Sequence, residues 1–147
     1  MKHTLASWEG YARSITRIIL SFTFLLHGCR LMFGVLAARA GRRLAAPMAL
    51  DSFPSWVGGL EILGGTLLLL GLFTRPVAAI LCAEAIIAYL YSSLPRSIYP
   101  MRNGGEEVIM YIVMFLYFAA AGGGRWSVDT LLHKNIHKHQ TPSGAPA

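Results

Sequence analysis

Residues 56–76 read W-V-G-G-L-E-I-L-G-G-T-L-L-L-L-G-L-F-T-R-P, and the reading of this stretch decides the fold. The run is apolar almost throughout and long enough to cross a bilayer, which takes about 20 such residues. It carries one carboxylate, Glu61, near its start, and the glycines Gly58, Gly59, Gly64, Gly65 and Gly71. Small residues let a membrane helix approach its neighbours closely. A carboxylate within such a helix is costly and faces the protein interior. The stretch therefore predicts a packed central helix with Glu61 turned toward the other helices.

Composition agrees. Of 147 residues, 54% are apolar and only 14% charged, against about 25% charged in a soluble domain. The net charge of +6 is explained by arginines flanking apolar spans, which sit at the membrane surface. No nucleic-acid motif accompanies it. Cys29 and Cys82 lie in separate apolar runs with no C-x-x-C spacing, so they read as small buried hydrophobes.

Outward from the central helix, three more apolar segments appear. Spans are expected at about 14–36, 55–73, 76–94 and 106–122. Thr74-Arg75-Pro76 makes a tight turn between the second and third, with proline tolerated at the start of a helix. Connections at 37–54 and 92–105 join the other pairs. The fold class is thus an all-α membrane protein, a four-transmembrane-helix bundle running up-down-up-down, in one domain over 1–132. Three spans with the fourth segment lying in the interface is the competing architecture. Ala38-Arg39-Ala40 has the form of a cleavage site, but the apolar run before it is too long for a signal peptide and contains His27 and Arg30. Residues 133–147 read as a polar, disordered tail; His133 and His137 there have metal-like spacing on a chain too polar to hold it, and no metal site is expected. Basic residues fall evenly on the two sides of the four spans, so charge alone leaves the orientation open.

Polar groups inside the spans carry the functional reading. On the first span Thr16, Thr23, His27, Arg30 and Gly34 follow helical offsets and form one stripe, expected to face the bundle. From the rise per residue, Arg30 and Glu61 each lie roughly 9 Å below the same surface. Asn103, Glu106 and Glu107 reach the rim there, His27 lies one turn deeper, and Glu84 nearer the midplane. The candidate pocket or buried polar cluster is therefore His27, Arg30, Glu61, Glu84, Asn103 and Glu106, with Arg30 expected to pair with Glu61. A purely structural ion pair that fixes helix register explains the same residues.

The chain resembles the DoxX family of small bacterial membrane proteins. The resemblance rests on R-x-x-L-S-F-T-F-L-L-H-G at 17–28, Glu61-x-x-Gly64-Gly65, Gly71-Leu72-Phe73-Thr74-Arg75, Asn103-Gly104-Gly105-Glu106 and Gly124-Arg125-Trp126-Ser127-Val128-Asp129. The family often has a lysine three residues after the His-Gly pair; this chain has Leu31 there, preceded by Arg30. The resemblance implies a multi-pass protein of the bacterial inner membrane with cytoplasmic termini. It also implies the membrane subunit of a quinone-linked oxidoreductase serving thiosulfate, thiol or oxidative-stress chemistry. Quinone is then the implied cofactor. No haem, flavin or metal motif is evident in the chain, so electrons are expected from a redox partner subunit. A non-catalytic scaffold or small-solute permease, or a homo-oligomer of it, is the alternative.

Overall fold

A computed structural model describes residues 2–33 and 53–132. Most of the 37–54 connection, Gly34 and the tail with its histidines lie outside the described residues. Every regular element described is helical: α1 (Lys2–Phe33), α2 (Phe53–Leu70), α3 (Thr74–Ala88), the short α4 (Pro100–Asn103) and α5 (Glu106–Ala121). α3 runs on into a π-helical turn at Tyr89–Ser93. Each of the four segments expected as spans holds a helix, although α2 stops at Leu70, short of the expected 73. Trp8–Phe33 and Thr74–Ser93 are long and apolar enough to cross a membrane, and Trp56–Leu70 is a shorter apolar helix. α1 begins far earlier than the expected 14, at Lys2, because its first turns contain no proline and Arg13 holds Glu9 one turn back.

α1 lies chiefly against α2, and α3 against α5; α2 meets α3 less extensively, and α1 touches α5 only slightly. Phe24, Leu68, Ala78, Leu81, Cys82, Phe115 and Phe118 form the core. Phe24 meets Phe115 edge to face at 4.8 Å between ring centres, a geometry favoured by the ring quadrupoles. Both cysteines are free, and Cys82 Sγ faces the Ile112 carbonyl at 3.6 Å.

Burial is inverted relative to a protein in water. Ile19, Phe22, Leu63, Ile80, Ile87, Met110 and Leu116 are exposed, while Ser14, Arg17, Ser21, Glu61, Thr74, Asn103 and Ser127 are buried. Such an apolar exterior around polar contacts suits a lipid surrounding.

The buried face of α1 is not the expected stripe. It runs Ser14, Arg17, Ser21, Phe24, Gly28, whereas Thr16, Thr23 and Arg30 are exposed and His27 is half-buried. The threonines have no need of the interior: Thr16 Oγ1 donates to Ala12 O at 2.9 Å and Thr23 Oγ1 to Leu20 O at 2.8 Å. Serine and glycine, being smaller, take the seam where a neighbour comes close.

The turn between α2 and α3 follows from its residues. Gly71 takes a left-handed conformation (φ 71°). Its N–H donates to Leu68 O and the Leu72 N–H to Leu67 O, both at 3.0 Å, the paired closure of a Schellman motif. Phe73, also left-handed (φ 50°), then starts α3. Asp129 accepts from the Phe73 and Thr74 amides at 2.8 Å each, capping α3 from a distant part of the chain.

Candidate functional site

α1 and α2 set the position of Glu61 by backbone approach. A Cβ on Gly28 would lie 2.9 Å from Glu61 Cβ and 2.9 Å from Gly58 O, and one on Gly58 would lie 3.0 Å from Gly28 O. The glycines flanking Glu61 thus do what the sequence predicts of them. Glu61 is 4% exposed, and its Oε2 is buried with no hydrogen-bond partner among the described residues.

The basic side chain beside Glu61 is His27, with Nε2 3.9 Å from Oε1. That is too long for a hydrogen bond but close enough for a small shift, or a bridging group, to move a proton between them. The Arg30–Glu61 ion pair expected from depth does not occur among the described residues: Arg30 is exposed and acts electrostatically on His27 instead. Equal depth fixed the level of the two residues and left their angular positions open. Glu84, half-buried on α3, lies within electrostatic reach of Glu61.

Asn103 and Glu106 stand apart. Asn103 is buried, but its amide serves the local chain: Nδ2 donates to Ser97 O at 2.7 Å and Oδ1 accepts from Gly105 N at 2.7 Å. Glu106 is exposed in the first turn of α5. Its neighbour Glu107 turns instead toward α1, where it acts on His27 and lines a groove of about 520 Å³ between α1 and α5. Thr16, Thr23, Tyr111 and Met114 also line this groove. Tyr111 lines this groove and stacks on Phe115 in the core, with ring centres 5.9 Å apart. Tyr111 and Met114, three residues apart, share one face of α5, a spacing that by itself reads as packing.

A second polar centre, midway along α1 and away from Glu61, has no counterpart in the sequence reading. Arg17 is 1% exposed. Its Nε donates to Gly123 O at 2.9 Å, Nη1 to Leu69 O at 2.8 Å and to Leu68 O, and Nη2 to Trp126 O at 2.6 Å. The guanidinium thereby joins α1 to the C-terminus of α2, where free carbonyls attract a cation, and to the segment after α5. Ser14 adds a bond from Trp126 N at 3.0 Å, and Arg13 Nη1 donates to Ala121 O at 2.8 Å. The motif pieces beginning at Arg17, Gly71 and Gly124, separate in sequence, meet in this one knot.

Helices apolar outside and polar within define an integral membrane protein of the all-helical class. Residues 12–93 match the family model described as DoxX. An uncharacterized protein of Haemophilus influenzae is 33% identical over 137 residues, covering 90% of this chain and 98% of its own. An uncharacterized membrane protein of Mycobacterium tuberculosis is 28% identical over 142 residues, covering 88% of this chain and 83% of its own. No solved structure matches. The chain belongs to the DoxX family.

Proposed function

We propose that this protein is the membrane subunit of a quinone-linked redox complex in the bacterial inner membrane, with a quinone head group seated where the α1–α5 groove meets His27, Glu61 and Tyr111. The observation that supports this reading most is the buried Oε2 of Glu61, which has no hydrogen-bond partner among the described residues, in a bundle that also carries a groove between α1 and α5. The residues suit such a ligand. Ile19, Leu20, Met110 and Met114 offer apolar walls to a ring and its tail, while Tyr111 offers a hydroxyl to a carbonyl oxygen. A bound quinone would accept two electrons and two protons, the electrons coming from a partner subunit. His27 and Glu61 are the groups placed to pass protons. Purification in mild detergent followed by lipid extraction tests this. Quinone is expected in the extract, and Glu61→Gln with Tyr111→Phe should lower its occupancy about tenfold, the loss of hydrogen bonds to a buried acceptor. A correctly folded protein free of quinone would remove the reading.

The same proposal takes α1, α2, α3 and α5 as four spans in up-down-up-down order with cytoplasmic termini. The knot at Arg17 then lies on the cytoplasmic side and the α4 loop outside. Single cysteines at Met101 and Leu131, both exposed, should react oppositely with an impermeant thiol reagent on intact cells: Met101→Cys labels, Leu131→Cys does not. Equal labelling would eliminate the four-span arrangement.

A further inference from the structure

Beside the Arg17 knot lies a cavity of about 760 Å³, at the end of the molecule away from Glu61. Its volume is in the range of small-ligand sites. Thr74, Arg75 and Pro76, the first turn of α3, form one wall, and Gly122, Gly123 and Gly124 another. Arg13 and Arg125 complete the basic lining, with Glu9 and Asp129 as its acids.

The acids are already engaged. Glu9 pairs with Arg13, and both oxygens of Asp129 are held by the Phe73 and Thr74 amides. Arg75 and Arg125 have no carboxylate partner among the described residues; Arg125 instead lies over the Tyr11 ring at 4.8 Å. A Cβ on Gly122 would stand 3.4 Å from Arg75 Nε, so the missing side chain leaves that nitrogen open to the cavity.

Two buried donors on residues that line this cavity lack partners among the described residues. Thr74 is 1% exposed, lines the cavity, and its Oγ1 has no hydrogen-bond partner among the described residues. The buried Nε of Arg13 is likewise without one. Behind them stands the N-terminus of a 15-residue helix, whose dipole favours negative charge. A hydroxyl and the two guanidinium groups of Arg75 and Arg125 around one cavity are the donor set of a phosphate site, while Asp129 already takes the first amides of α3.

We propose that this cavity binds a phosphate group, held by Arg75, Arg125 and Thr74, from either an anionic lipid head group or free phosphate. The neighbouring Trp126 is exposed and packs edge to face on Tyr11 at 5.4 Å, the arrangement of an interfacial aromatic belt. That places the cavity at head-group level in the four-span reading, but the phosphate chemistry stands without it.

The test uses the full-length protein, delipidated in a nonionic detergent. Native mass spectrometry measures binding of phosphatidylglycerol against phosphatidylcholine, and melting measures stabilisation by inorganic phosphate against chloride at equal ionic strength. Arg75→Gln, at an exposed position, and the near-isosteric Thr74→Val should each weaken binding about tenfold, the loss of a charge-assisted hydrogen bond. Arg96→Gln, an exposed arginine at the other end, should leave it unchanged. Preference for phosphatidylglycerol that Arg75→Gln abolishes identifies a lipid phosphate. Stabilisation by inorganic phosphate alone, abolished by the same change, identifies a free phosphate. Binding of neither above its control, or binding that Arg75→Gln and Thr74→Val leave intact, overturns the proposal.

Discussion

Arg17→Ala is expected to destabilise the protein by about 3–5 kcal/mol, because several buried carbonyls lose a charged donor worth roughly 1.5–3 kcal/mol per hydrogen bond before the structure relaxes. In a detergent melt this corresponds to a fall of about 10 °C for a chain of this size. The loss is large because one side chain serves three separate parts of the chain. The Leu68, Leu69, Gly123 and Trp126 carbonyls all accept from it, and alanine would leave them without donors in a space too closed for bulk water. Gly71 is what lets the guanidinium fit, since a Cβ there would come within 2.6 Å of Ser127 and 2.9 Å of Arg17 Nη1. Arg17→Lys keeps the charge but loses the planar fork that reaches several acceptors at once. It should recover only part of the loss. An alanine variant melting within about 2 °C of the parent, less than 1 kcal/mol on the same scale, would show that the knot contributes little to stability.

The way Arg17 escaped the sequence reading shows what apolar periodicity can resolve. Long apolar runs identify helices regardless of which side is buried, so α1, α2, α3 and α5 were legible. Close packing beside Glu61 was legible too, because Gly58 and Gly65 share its face. Arg17 lies near the end of its span, where a basic residue is ordinarily an interfacial anchor. Its true surroundings are carbonyls supplied by residues 51 to 109 positions away, which no local pattern contains. The Ser14-x-x-Arg17-x-x-x-Ser21 spacing was the available signal, since serine beside arginine on one face marks a packed polar seam. The Thr16–Thr23–His27 stripe was assigned inward because polarity was taken to require burial. Threonine satisfies its hydroxyl on its own helix, so the stripe could face the groove. Adjacent residues on a helix differ by about 100°, and the choice of Glu107 over Glu106 for that groove depends on the packing of α5. Asn103 drew attention as a polar group at the right depth, but asparagine before Gly-Gly is also a turn residue, and the turn uses its whole amide.

The glycine seam between α1 and α2 supports a graded prediction that also bears on the site. Gly59→Ala meets nothing within 4 Å and should stabilise α2 by up to about 0.5–1 kcal/mol, the difference in helix preference between the two residues. Gly65→Ala brings a methyl to 3.3 Å from Leu25 Cα, a contact that small adjustments can absorb, so its effect should be slight. Gly28→Val belongs to another class. The first added carbon already lies 2.9 Å from the Gly58 carbonyl and 3.0 Å from Ile62 Cγ1. A backbone carbonyl cannot retreat without moving α2 as a whole, so overpacking here should cost about 3 kcal/mol, the upper part of its usual range. Because Gly28 seats directly over Glu61 Cβ, separating the helices also draws His27 away from the carboxylate. Gly28→Val should therefore lower both the melting temperature and the amount of retained quinone, whereas Gly59→Ala should lower neither. If Gly28→Val melts with Gly59→Ala, the helices do not meet at Gly28 and Gly58, and Glu61 is not positioned by their contact.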